Sequence, residues 1–341
     1  SMRACVVTKS PLTGIYLDSF FGGRFGPDIK YAGYDGLIVT GCAVRPTILT
    51  IRDDDVCFHP AGSIWGTDAL TANSRVNQEL DASESRVVTI GQAGENQVRF
   101  ALISCEYNRQ AGRGGAGAVM GSKNLKAIAV TGSRVVKVHD PAAFNAACRQ
   151  ASADIAASAA CAALTDSGTS NAVPWSNSVG TLPFRNHLEQ IYAKADRLGD
   201  EGQKKHLFLG KAACHGCPIR CSQMGAVRTG KHAHLITDIV EYESAALMGS
   251  NLDIHDVRAV AHLVKLCDSY GLDSMSTGGV IAFAFEAAEK NLIAAPEDVQ
   301  LAFGSVDGAA YLILAIARQE NELGCLLGLG VKQAAARLGQ G

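Results

Sequence analysis

Apolar positions follow two different periods along the chain. Up to about residue 135 they fall in short β-branched runs: Leu37-Ile38-Val39-Thr40, Ile48-Leu49-Thr50-Ile51, Arg86-Val87-Val88-Thr89-Ile90 and Ala127-Ile128-Ala129-Val130. Turn-forming clusters stand between them at Tyr34-Asp35-Gly36, Asp53-Asp54-Asp55 and Gly91-Gln92-Ala93-Gly94, so the front of the chain reads as strands and glycine turns. From Pro141 onward the spacing becomes three and four residues, which predicts helices. Val257, Val260, Ala261, Val264 and Cys267 share one face of a helix expected over 253–270. Asp253 and Asp256 suit its start, and Gly271 lies where the chain leaves it. Further helices are expected at 141–165, 237–250, 277–291 and 308–320, with a loop over 166–186. The fold class that follows is α+β, a β-rich region over 1–135 followed by an α-helical region over 136–341.

Composition narrows the function classes. The chain has 341 residues, of which 47% are apolar, enough for a large core. With 31 basic against 33 acidic side chains and a net charge of -2, a diffuse basic surface for nucleic acid is excluded, as is a polybasic membrane anchor. Apolar stretches are broken by glycine or charge before the roughly 18 residues that a bilayer span needs. Ser1-Met2-Arg3-Ala4-Cys5 enters a strand-like Val-Val-Thr at once, without a secretory leader. A cytoplasmic globular chain is therefore expected.

The eleven cysteines are unevenly placed. Eight stand singly among small or apolar residues and read as buried hydrophobes. Cys214-His-Gly-Cys217-Pro-Ile-Arg-Cys221 is different: C-x2-C-x3-C presents three thiolates on one loop, the spacing that caps three irons of a cubane cluster. Zinc is the rival, with His232 or His234 completing a tetrahedral site. The glycine-rich run Gly112-Arg113-Gly114-Gly115-Ala116-Gly117 matches G-x-G-x-x-G in letters only. Strand-like Lys126-Ala127-Ile128-Ala129-Val130 follows too soon for the crossover helix of a dinucleotide fold. Two readings remain for the run, flanked by Arg113, Lys123 and Lys126: a nest of backbone N–H groups for phosphate, or a tight structural loop.

Three groups of motifs together resemble the aldehyde ferredoxin oxidoreductase family, the tungsten or molybdenum bis-pyranopterin enzymes. The first is Ser10-Pro-Leu-Thr-Gly14 with Phe25-Gly-Pro27 and Lys30-Tyr-Ala-Gly-Tyr-Asp-Gly36. The second is Gly91-Gln-Ala-Gly-Glu-Asn96, leading to the glycine run and on through Gly121-Ser-Lys-Asn-Leu-Lys-Ala127. The third joins the cysteine trio to Glu241-Tyr-Glu243 and Cys267-Asp-Ser-Tyr-Gly271-Leu272-Asp273. Order and spacing agree along the whole chain. The family pattern extends beyond Arg3 on one side and past Gly341 on the other, so the chain is expected to be part of such a pattern.

The resemblance implies roles residue by residue. Cys214, Cys217 and Cys221 match ligands of a [4Fe–4S] cluster. Asp268, opening D-x-x-G-L with Gly271 and Leu272, matches a carboxylate that hydrogen-bonds a pterin ring. Read alone, Asp268 is a helix-end surface residue. Arg3 matches an arginine between cluster and pterin, and Glu243 a carboxylate near the metal, with Glu241 its near alternative. Gly112, Arg113, Gly114, Gly115, Gly117 and Lys123 fall at cofactor-binding positions. Phe20 stands where the family usually has Asn at the Mg2+ that bridges the pterin phosphates. The implied reaction is oxidation of a small aldehyde to a carboxylic acid, with electrons passed through the cluster to ferredoxin and a homodimer possible in such a family. Ring reduction of an aromatic thioester on the same cofactor, or an electron-transfer or inactive remnant, are the alternatives.

Overall fold

Period-two alternation in the front half becomes sheet geometry in the computed structural model, which describes residues 3–80, 85–106 and 109–339. Strands β1 (Ala4–Lys9) and β2 (Tyr16–Phe21) form an antiparallel ribbon. Strands β3 (Thr47–Arg52), β4 (Asp55–Pro60), β5 (Arg86–Thr89), β6 (Ile103–Cys105), β7 (Arg109–Ala111) and β8 (Leu125–Thr131) form one sheet in the order β4-β3-β8-β5-β6-β7. Only β3 and β8 pair in parallel in that sheet. Val87, Ala127 and Ala129 face one core with Ile48 and Val76, whereas Val88, Val130 and Ile51 face another with Phe21 and Phe25. Alternate residues thus go to opposite faces, as a pleated strand requires.

The back half is mixed rather than purely helical. A third sheet, β9 (Phe208–Ala212), β10 (Ser222–Ala226) and β11 (Ile236–Asp238), runs in the order β11-β10-β9. It shortens the helix expected over 237–250 to Tyr242–Met248, because Ile236–Asp238 pairs with β10 instead. The helix expected over 141–165 is broken at Ser158, which leaves helical geometry and caps a second helix by accepting from the Cys161 N–H at 3.3 Å. Ala172–Ser178 is helical inside the predicted loop. The helices expected over 277–291 and 308–320 span Ser274–Glu289 and Val306–Arg318, with Asp273 and Ser305 accepting from their first N–H groups. Leu37-Ile38-Val39-Thr40 forms no strand: it has no partner strand, and Ile38 is 94% exposed. The Gly91–Gly94 cluster opens a single helical turn, Gln92–Glu95. The helix Val257–Tyr270 starts at its cap Asp256, three residues after Asp253 would have begun it, and ends at Gly271 with φ 79°. No helix among the described residues is long and apolar enough to cross a membrane.

Backbone-to-backbone packing joins the two halves. Across the halves a methyl group on Gly91 would overlap the Tyr270 carbonyl, and within the front half one on Gly117 would overlap the Leu102 carbonyl and one on Gly121 the Gly94 carbonyl. Leu272 bridges Ala101, while the Leu102 N–H donates to Gly271 at 2.8 Å and that of Asp273 to Phe100 at 3.1 Å. Side chains are excluded from this seam, so glycine is needed there for its missing Cβ. Phe100 and Ala118 from the front belong to the same core as Leu263, Phe285 and Ile313 from the back. Burying a Phe contributes about 1.5–3 kcal/mol, so this shared core fixes the junction at which the candidate site lies.

Candidate functional site

The cysteine loop connects β9 to β10 and leans on the front half. The His215 N–H donates to the Gly23 carbonyl at 3.2 Å, and the Tyr31 hydroxyl lies 3.3 Å from His215 Nε2. Gly216 (φ 68°) and Arg220 (φ 54°) take the left-handed conformation that lets the chain fold back between the cysteines. Cys214, Cys217 and Cys221 are free thiols, as are the other eight cysteines; of those eight only Cys105 and Cys267 are buried, Cys161 is half-buried and the rest are exposed, against the expectation of buried hydrophobes. Burial pushes the Cys221 thiol up, and the charges of Glu241, Cys214 and Cys217 add to the shift. Among the described residues no three His, Cys, Asp or Glu side chains converge on a single-ion position. His232 stacks on His262 at 4.1 Å, in the segment that leaves the far end of β10 from Cys221. A five-residue strand spans about 15 Å, so neither His232 nor His234 joins the cysteines there and the zinc completion loses its support.

Arg109, on edge strand β7, is the cation placed against this loop, and the sequence did not single it out. Its Nη1 lies 3.3 Å from Asp238 Oδ2 on β11. Burial opposes its charge, but a hydrogen bond to Cys214 and the charges of Cys214, Asp238 and Cys221 outweigh that and raise it overall. Burial also lifts Asp238 to about 6, against the pull of Arg109. Nothing local marks these two: they lie 129 residues apart and meet only because two sheets abut.

The next residue, Gln110, lies beside Asp268, the carboxylate of D-x-x-G-L. Both Gln110 amide atoms are buried; their polar neighbour is the Asp268 carboxylate, toward which Gln110 makes no well-aligned hydrogen bond, and Asp238 Oδ1 is likewise buried and unpaired. A buried polar atom without a partner costs about 1–3 kcal/mol, so this pocket of donors and acceptors fits a polar group bound beside Asp268. Burial pushes Asp268 up to about 7, helped by the charge of Asp238 and opposed by Lys265. An acid whose native pKa lies above its unfolded value binds its proton more tightly when folded. Its contribution to stability is therefore complete below about pH 3.8 and is lost as the pH rises through about 7. For the cofactor-free protein, urea unfolding at pH 5 and pH 8 is expected to show this loss, on the order of 1–3 kcal/mol, and Asp268→Asn is expected to remove it.

The glycine run resolves unevenly. Gly115 and Gly117 serve packing, since a methyl on Gly115 would overlap the Arg99 carbonyl, and Gly114 (φ 82°) sits against Leu17. Gly112 faces open space. Arg113 donates to Asp273 at 3.1 Å, which ties it to the start of the helix Ser274–Glu289. Lys123 donates to the Gly41 carbonyl at 3.0 Å. It shares with Arg3 the lining of a cavity of about 470 Å³ between β1 and the six-stranded sheet. The run opens the short helix Ala116–Ser122 between β7 and β8, which are antiparallel to each other, so no dinucleotide-type crossover forms. Glu243 is exposed in the first turn of Tyr242–Met248. Glu241 stands at the position before that helix, beside Cys221, where its side chain makes no capping bond and accepts from the Thr169 hydroxyl; desolvation by the surrounding protein raises its carboxyl above the usual range.

Two family profiles cover almost the whole chain. "Aldehyde ferredoxin oxidoreductase, N-terminal domain" matches residues 1–132, and "Aldehyde ferredoxin oxidoreductase, domains 2 & 3" matches 146–341. The chain belongs to the aldehyde ferredoxin oxidoreductase family. The tungsten-containing aldehyde ferredoxin oxidoreductase of Pyrococcus furiosus is 36% identical over 326 residues, covering 94% of this chain and 53% of that protein. An aliphatic sulfonate oxidoreductase, WOR-like subunit, of the same organism is 30% identical over 99% of this chain and 56% of its own length. The active-site complex BamBC of benzoyl coenzyme A reductase shares the fold, with a TM-score of 0.86 at 24% identity over 99% of this chain and 52% of that one. The chain thus spans about half the length of the relatives it matches.

Proposed function

We propose that the chain supplies the pterin-binding and cluster-binding parts of a tungsten- or molybdenum-pterin oxidoreductase that oxidises an aldehyde to a carboxylic acid. A [4Fe–4S] cluster held by the cysteine loop would supply the route for electrons to ferredoxin. One observation carries the reading. Strand β7 places Arg109 against Cys214 and Gln110 beside Asp268, and then runs directly into Gly112 and the glycine run. A single segment therefore touches the cluster loop, the D-x-x-G-L carboxylate and the glycine loop, as electron transfer between two adjacent centres requires.

In this assignment Cys214, Cys217 and Cys221 would hold three irons, and Asp268 with Gln110 would hold the polar edge of one pterin. Arg113 and Lys123 would supply positive charge toward the cofactor's phosphates, whose remaining charge a Mg2+ would offset, Arg3 would lie between cluster and pterin, and Gly112 leaves room. Gly115, Gly117, Gly271 and Leu272 hold these groups in place through close backbone packing, and Gly114 through its contact with Leu17. When bound, the tungsten or molybdenum pterin supplies two-electron redox chemistry, which side chains lack. Balanced, an aldehyde and water yield a carboxylic acid, two protons and two electrons. Glu243, exposed and two residues from Glu241, accepts a proton from that water as general base.

In the complete holoenzyme, Glu243→Gln is expected to lower kcat by at least about 10²-fold, with metal and iron contents unchanged. Steady-state assays beside elemental analysis check this. Full activity in Glu243→Gln together with loss of activity in Glu241→Gln would move the role to Glu241 and contradict the assignment.

A further inference from the structure

We infer that Arg109 is a positioning residue that sets the reduction potential of the centre held by the cysteine loop. The inference rests on the cluster reading of that loop. Arg109 extends from the edge of the six-stranded sheet to a loop of the three-stranded sheet, where its guanidinium engages Cys214 and Asp238 together. Its position is tightly determined. Any side chain at Gly22 would collide with Cys214 Sγ and touch Arg109 Cδ at 3.5 Å. Only 17% of the Arg109 side chain and 26% of that of Asp238 is exposed, so solvent screens the charge weakly.

The surroundings are otherwise mostly acidic. Asp238, Glu241 and Asp268 face this region from β11, the start of Tyr242–Met248 and the helix Val257–Tyr270, and Lys265 is a cation acting on Asp238 and Asp268 from that last helix. Reduction adds one electron to a centre whose thiolates are already negative. A fixed cation bonded to one ligand sulfur favours the added charge, while the carboxylates oppose it. A guanidinium suits this position because it keeps its charge at every accessible pH and its fork donates to sulfur and carboxylate at once. Loss of the cation therefore lowers the potential, and loss of the Asp238 anion, which offsets it, raises the potential.

The test is an EPR-monitored redox titration of anaerobically purified holoenzyme at pH 8, with iron determined on each sample. Arg109→Met is expected to reduce the reduced-to-oxidised ratio at a fixed potential by about tenfold, equivalent to about 59 mV downward for one electron. Arg109→Lys, which keeps the charge, is expected to recover most of that shift. Asp238→Asn is expected to move the potential upward by a smaller amount. If Arg109→Met fails to retain iron, the upward shift in Asp238→Asn decides the matter. An iron-replete wild type whose variants do not shift, or shift with the same sign, overturns the inference and leaves the cluster reading standing. A wild type with no cluster signal overturns both.

Discussion

Cys217→Ala is expected to remove the cluster, taking iron from about four per chain to near zero and aldehyde oxidation to background. Cys217 is the middle cysteine of a loop whose conformation rests on two left-handed residues, Gly216 and Arg220. Its backbone N–H donates to the Cys214 carbonyl at 3.0 Å, so its position depends on the same turn as its neighbour's. Without its sulfur one iron corner is uncapped, and Cys221 is left in surroundings that burial and Glu241 already make unfavourable to a thiolate. Cys148, exposed on the helix Pro141–Ala157, is the control. Cys148→Ala is expected to retain iron, visible absorption and rate. Iron retained in Cys217→Ala would show that the trio is not the ligand set.

Lys126→Ala is expected to give the largest stability loss, about 3–5 kcal/mol, because it leaves a buried carboxylate without its partner. Lys126 is fully buried in β8, where its ammonium donates to the Thr67 and Ile90 carbonyls at 2.9 and 2.8 Å and pairs with Glu95. Burial pushes the Glu95 carboxyl up and the Lys126 ammonium down, so both pay desolvation and each depends on the other. The pair ties the helical turn Gln92–Glu95 to the central strand, and that turn packs its glycines against Gly121 and Tyr270. Urea unfolding checks the value, with a fall in Tm of roughly 5–15 °C beside it. Lys126→Met combined with Glu95→Leu is expected to cost less than the two single changes summed. Additive costs would show that the ion pair does not couple these elements.

Much of the frame was legible because local pattern and tertiary demand agreed. In β3, β5 and β8 the β-branched runs have sheet partners on both sides, and the helix Val257–Tyr270 carries its apolar face, cap and terminal glycine within its own residues. The cysteine spacing was legible for the same reason, as one short loop contains it. Legibility ended where the deciding partner is remote. Leu37–Thr40 has strand-forming residues but no strand among the described residues to pair with, and Thr237 and Asp238 read as the start of a helix until β10 is beside them. Residues 112–117 mix two purposes that the letters do not separate, packing at Gly115 and Gly117 and open space at Gly112. Arg109 and Asp238 carry no local mark, and only the abutting sheets reveal them.

The central claim is that this chain forms part of a metal-pterin and iron–sulfur redox centre. Elemental analysis for W, Mo, Fe and Zn on the holoenzyme purified without oxygen tests it most directly. The account predicts tungsten or molybdenum near one per chain with about four irons. Zinc alone, or iron with neither heavy metal, would contradict it.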